Sequence, residues 1–67
     1  MPEGIVLWFD EDKGIGFIES IDGEEVFVHH RSILMDGFRT LAQGDRVTYT
    51  LEMTRRGAEA MDVKKAE

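Results

Sequence analysis

Apolar residues fall in five short runs, 5–9, 15–18, 26–28, 47–51 and 61–63, and nowhere sustain the three-to-four-residue spacing of an amphipathic helix. Five strands are the consequence. Gly and Asx residues punctuate the chain about every 8 to 12 residues, the rhythm of a small all-β barrel or sandwich. They place turns at 11–14, 22–23, 43–45 and 55–58, with Asp22-Gly23 a hairpin signal between the second and third strands. The connection from 31 to 44 is longer. Within it Ser32 is placed to cap one helical turn through Leu34, and Asp36-Gly37-Phe38 reads as an exposed tip.

Successive side chains of a strand point to opposite faces, so parity sorts each run. Val26 and Val28 oppose Phe27 and His29; Gly16 and Ile18 oppose Ile15 and Phe17; Val47, Tyr49 and Leu51 share a face, as do Met61 and Val63. A closed barrel would enclose Ile18, Val26, Val28, Val47, Leu51 and Val63 and leave Ile15, Phe17, Phe27 and His29 outside. Large apolar groups clustered on the surface of so small a domain mark an interaction site. The first run has five apolar residues in succession, which simple alternation cannot bury. A β-bulge resolves the conflict and turns either Trp8 or Phe9 outward.

Composition narrows the function classes. The 67 residues make one domain, residues 1–67, whose total stability is roughly 3 to 10 kcal/mol at the usual increment per residue. Cysteine is absent, which excludes disulfide frameworks, thiolate chemistry and Cys-ligated zinc. No run is long enough to span a bilayer and no basic-then-apolar leader opens the chain, so a soluble cytoplasmic protein is expected. The net charge is −6, with eight acids against Lys13 and Arg31 in residues 1–31 and six of each sign in 32–67. Nucleic-acid binders usually carry a basic surplus, because counterion release supplies much of their affinity. This balance argues against tight nonspecific binding. It leaves room for a local cationic strip, since charges are screened over about 8 Å at physiological salt.

The most informative hexamer is Lys13-Gly14-Ile15-Gly16-Phe17-Ile18. Its alternate glycines would leave one sheet face bare of bulk beneath a ligand, while the residues between them project outward beside a lysine that can meet phosphate. A dinucleotide fingerprint is excluded, because the third glycine is missing and no helix follows. Val26-Phe27-Val28-His29-His30 supplies a second element that sets Phe27 and His29 beside Ile15 and Phe17, where each ring offers a base a stacking surface of about 1 to 3 kcal/mol. Phe27 packed beneath the long connection is the alternative. His29 and His30, as neighbours on a strand, should face opposite ways and cannot chelate one ion, so no metal is expected. The carboxylates of Asp10, Glu11, Asp12, Glu24 and Glu25 fall in turns without a nucleophile, which leaves solvated charge rather than acid–base catalysis. Phe38-Arg39 and Arg55-Arg56 could add an aromatic and cations at the rim.

Taken in order, Gly4-Ile5-Val6-Leu7-Trp8-Phe9, the Lys13 hexamer, Val26-Phe27-Val28-His29, Asp36-Gly37-Phe38 and Gly44-Asp45-Arg46-Val47 resemble the bacterial cold-shock protein family over nearly the whole chain. The resemblance implies a five-stranded antiparallel OB-fold-like closed β-barrel that binds single-stranded RNA or DNA, preferably pyrimidine-rich, as an RNA chaperone or antiterminator of the stress response. No catalysis and no cofactor are implied. The binding residues carried over are Trp8, Lys13, Phe17, Phe27, His29, Phe38 and Arg56 with Phe9 nearby, and Trp8 is the residue turned outward. Ile15, His30 and Arg39 complete the candidate surface.

Four positions depart from the family's pattern. Leu7 stands where it has lysine, Asp10 where it has asparagine, and Ile15 and His30 where it has phenylalanine. Reduced or altered affinity is the expectation. The alternative is a diverged cold-shock domain whose apolar face, made more aliphatic by Leu7 and Ile15, acts mainly as a protein-interaction module in transcription or translation. A closed barrel has no free edge, so a monomer is expected.

Overall fold

The computed structural model describes residues 2–34 and 40–66. Strands β1 (Glu3–Asp10), β2 (Ile15–Ser20), β3 (Glu25–His29), β4 (Arg46–Thr54) and β5 (Gly57–Lys65) close a barrel in the order β1-β2-β3-β5-β4, with one 3₁₀ turn at His30–Ser32. The pairings are antiparallel except β3 with β5, a parallel seam that sets Phe27 against Glu59. That seam joins strands far apart in sequence.

The strands supply Val6, Ile18, Val26, Val28, Val47, Tyr49, Ala60 and Val63 to the core, and the long connection supplies Ile33 and Leu41. Parity could not reveal the last two, because they lie outside the strands. Ile33 forms a parallel bridge with Val63, and the Leu34 N–H donates to the Val63 carbonyl at 2.8 Å. Ser32 does not begin the helical turn as expected. It ends it, with its hydroxyl 3.6 Å from the Met61 sulfur, while the His29 side chain caps the turn by accepting from the Arg31 N–H at 3.2 Å.

Two bulges reset the parity. In β1, Val6 faces Ile18 and Trp8 faces Phe17, so Leu7 is the extra residue. Trp8 turns outward and Phe9 packs against the core. In β5, Asp62 and Val63 oppose Tyr49 alone, and Asp62 takes a φ of 50°. The shift buries both Ala60 and Val63, so Met61 and Val63 do not share a face as simple alternation required.

Two further expectations are corrected. Leu51 is not enclosed but 47% exposed. The cause is the short β1–β4 ladder, which spans only Arg46, Val47 and Thr48 of β4; beyond it β4 continues as a two-stranded ribbon with β5. The glycines of the Lys13 hexamer also do not clear space for a ligand. A Cβ on Gly16 would lie 2.7 Å from Phe9 Cδ1 and against the Trp8 carbonyl, and one on Gly14 would run into the His30 ring. The bare face is filled by the protein itself.

Candidate functional site

Cross-strand register brings three rings into a row. Trp8 pairs with Phe17 and Phe17 with Phe27, with ring centroids 5.7 Å apart in both steps at interplanar angles of 53° and 72°. Trp8 is 44% exposed, and Phe17 and Phe27 are half-buried. Beyond Phe27 the Arg56 guanidinium sits 5.3 Å from the ring centroid, a cation–π contact that extends the row onto the β4–β5 hairpin. Ile15 lies one outward position along β2, between Asp10 and His29. In the other direction the outward residues are Glu19 and Glu25, paired across the same strands. The outer face therefore runs from acids, through rings, to imidazole and guanidinium.

Lys13 is exposed in the β1–β2 turn. Asp10 holds that turn: its Oδ1 accepts from the N–H groups of Asp12 at 3.0 Å and Lys13 at 3.2 Å, and its carbonyl accepts from Gly14 at 2.7 Å. A short side-chain acceptor at this position organises the turn locally. The carboxylate is thus occupied by backbone donors rather than aimed across the row.

The two histidines do not point to opposite faces as strand geometry would require. β3 ends at His29 and the 3₁₀ turn begins at His30, which brings the rings to 4.5 Å at 33°. His30 lies over Gly14 and donates its backbone N–H to the Gly14 carbonyl at 2.7 Å. Burial, then the charges of Arg31, His30 and Arg56, hold His29 below its ordinary pKa, with Glu59 opposing. The hydrogen bond to Nδ1 acts in the same direction, because only the unprotonated nitrogen can accept. Neutral His29 therefore keeps Nε2–H as its donor. Among the described residues no group of three or more His, Cys, Asp or Glu side chains could hold a metal ion.

Next to His29 lies an open pocket of about 390 Å³ lined by Arg31, Thr54, Arg55, Arg56 and Glu59. Of these, Arg55 and Arg56 were named from the sequence as rim cations, and only Arg56 was carried into the binding set. The others arrive through the β3–β5 seam, which no local pattern announces; the Arg55-Arg56 doublet was the one available hint. Phe9 faces the core and stands apart from the row. Phe38 and Arg39 lie outside the described residues.

Comparison with known proteins agrees with this fold. The family model described as the 'Cold-shock' DNA-binding domain matches residues 2–66. Cold shock protein CspC of Bacillus subtilis is 47% identical over 66 residues, covering 98% of this chain and 100% of the relative. Cold shock protein 2 of Lactiplantibacillus plantarum is 50% identical over 64 residues, covering 96% and 97%. Among solved structures, drosophila Unr CSD456 superposes with a TM-score of 0.81 at 19% identity over 98% of this chain, which spans 26% of that longer one. That last likeness concerns the fold.

Proposed function

The chain belongs to the 'Cold-shock' DNA-binding domain family, a family of binding proteins rather than enzymes, and from that premise we propose that it binds single-stranded RNA or DNA by stacking bases on Trp8, Phe17 and Phe27. The row of three solvent-open rings carries this reading. Base stacking tolerates any sequence, because every base has a π-face, and the preference for pyrimidine-rich strands is what the family resemblance implies. Lys13 and Arg56 flank the rings and meet the backbone; the neighbouring Arg31 and Arg55 add to that edge. His29 offers Nε2–H to a base, His30 stacks behind it, and Ile15 gives an aliphatic contact where an aromatic would bind more strongly.

Glu19 and Glu25 repel phosphate, so the strand's path is biased toward the His29 and Arg56 end of the face. With few phosphates neutralised, the protein works by trapping transiently melted single strands, as an RNA chaperone or antiterminator does. It acts as a monomer in the cytoplasm. Among the described residues no helix is long and apolar enough to cross a membrane.

The test is titration of fluorescently labelled oligo-dT and oligo-U at low and physiological salt, with Phe17→Ala and Phe27→Ala alongside the parent. Each substitution should weaken binding by about 1 to 3 kcal/mol while the barrel stays folded. The log-affinity slope against log salt should be shallow, about −0.7 for each neutralised phosphate. Unchanged affinity in folded variants would place the bases elsewhere.

A further inference from the structure

A second apolar surface lies where the β4–β5 ribbon overhangs the barrel. Leu51 and Met53 have the inward parity of Val47 and Tyr49 but no third strand over them. Met53 is 75% exposed, and Ile21 of the β2–β3 turn, across the opening, is 83% exposed. With Ala58 they wall a groove of about 250 Å³ whose floor is formed by the core residues Val26 and Tyr49. The groove is thus an open mouth of the barrel, floored by the core.

Its rim is acidic. Glu3, Asp22 and Glu24 line it, and among the described lining residues none is lysine or arginine. The fields of Asp22 and Glu24 reach the floor, where burial first and then these two carboxylates raise the Tyr49 phenol above its ordinary pKa. Apolar surface ringed by one sign of charge selects its occupant. Phosphate and anionic lipid are repelled, and a second copy docked about a two-fold axis would bring its own three carboxylates against these.

We infer that this mouth docks a protein segment that inserts an apolar side chain and flanks it with lysine or arginine. The groove shares no residue with the ring row or the pocket beside His29. Val26 and Phe27 point to opposite faces of β3, as Met53 and Thr54 do on β4. Both surfaces can be filled at once, so the domain can tether a single strand to a basic protein. This differs from the alternative reading of the sequence, in which the aromatic face itself acts as the protein-interaction surface.

The probes are two short synthetic peptides with the same central Leu-Phe-Leu, one flanked by lysines and one by glutamates, followed by amide NMR on the full chain. The lysine-flanked peptide should give saturable shifts at Ile21, Leu51 and Met53, with or without saturating oligo-dT, and the glutamate-flanked peptide none. Ile21→Ser with Met53→Ser should weaken that binding about tenfold or more and leave oligo-dT affinity unchanged. Asp22→Lys with Glu24→Lys, which keeps the apolar groove, should transfer preference to the glutamate-flanked peptide. Absence of saturable shifts, equal binding of the two peptides, shifts confined to Trp8, Phe17 and Phe27, or an unaltered preference after charge reversal would each overturn the inference.

Discussion

The β1–β2–β3 sheet and the β4–β5 ribbon both pair antiparallel, yet they dispose of their apolar side chains differently. In the sheet the inward side chains Val6, Ile18, Val26 and Val28 are fully covered, and the outer face carries the row of three rings with the aliphatic Ile15 beside it. In the ribbon Val47 and Tyr49 are covered, while Leu51 and Met53, with the same parity, are open to solvent. Parity gives direction; burial requires something opposite. The two resulting surfaces also differ in charge, since arginines adjoin the ring row and carboxylates rim the overhang. One molecule thus presents two apolar sites to partners of opposite sign.

The sharpest way to break this comparison is to delete one inward residue from each region. Ile18→Ala should cost about 2 to 5 kcal/mol, since a fully buried side chain leaves a cavity, and that approaches the roughly 3 to 10 kcal/mol available to a domain of this size. Leu51→Ala should cost less than about 1 kcal/mol. Urea unfolding of the two variants decides the matter. Equal losses would mean that Leu51 is enclosed after all.

How far the sequence discloses each region follows from the same physics. The ring row was legible because β2 and β3 keep strict parity through a short hairpin, so Phe17 and Phe27 had to meet on the outer face. Leu51 was misplaced because no local signal tells where a neighbouring strand stops pairing. The relation of Met61 to Val63 failed at the Asp62 bulge, and that of His29 to His30 failed where the strand gives way to a 3₁₀ turn. Arg31 and Glu59 reach the site through a parallel seam between distant segments. A net charge of −6 gives no sign of where the cations gather; the Arg55-Arg56 doublet was the one local hint.

An intermediate effect is expected where the outer face is aliphatic. Ile15→Phe places an aromatic next to His29 and one outward position from Phe17, and should tighten oligo-dT binding by about 1 kcal/mol, the low end of a single stacking contact. Stability should change little. Fluorescence anisotropy with labelled oligo-dT checks it, and weaker or equal affinity would mean that bases do not reach this end of the row.

The smallest effect concerns pH. Folded His29 resists protonation, whereas in the unfolded chain it takes a proton near about pH 6.5. Protons therefore favour the unfolded state: this contribution is fully present above that value and is lost as pH falls through the lower folded one. The urea midpoint should fall more between about pH 7.5 and 5.5 in the parent than in His29→Gln, a window in which ordinary carboxylates stay ionised. Equal falls would show that the site does not depress His29.

Trp8 is the single tryptophan and stands at the end of the ring row, so its own emission reports base stacking without a label. Adding oligo-dT to the parent should quench Trp8 fluorescence saturably, with the same midpoint as anisotropy of the labelled oligonucleotide, and Phe17→Ala should shift both midpoints together to higher concentration. Binding seen by anisotropy with Trp8 emission unchanged would contradict base stacking on this face.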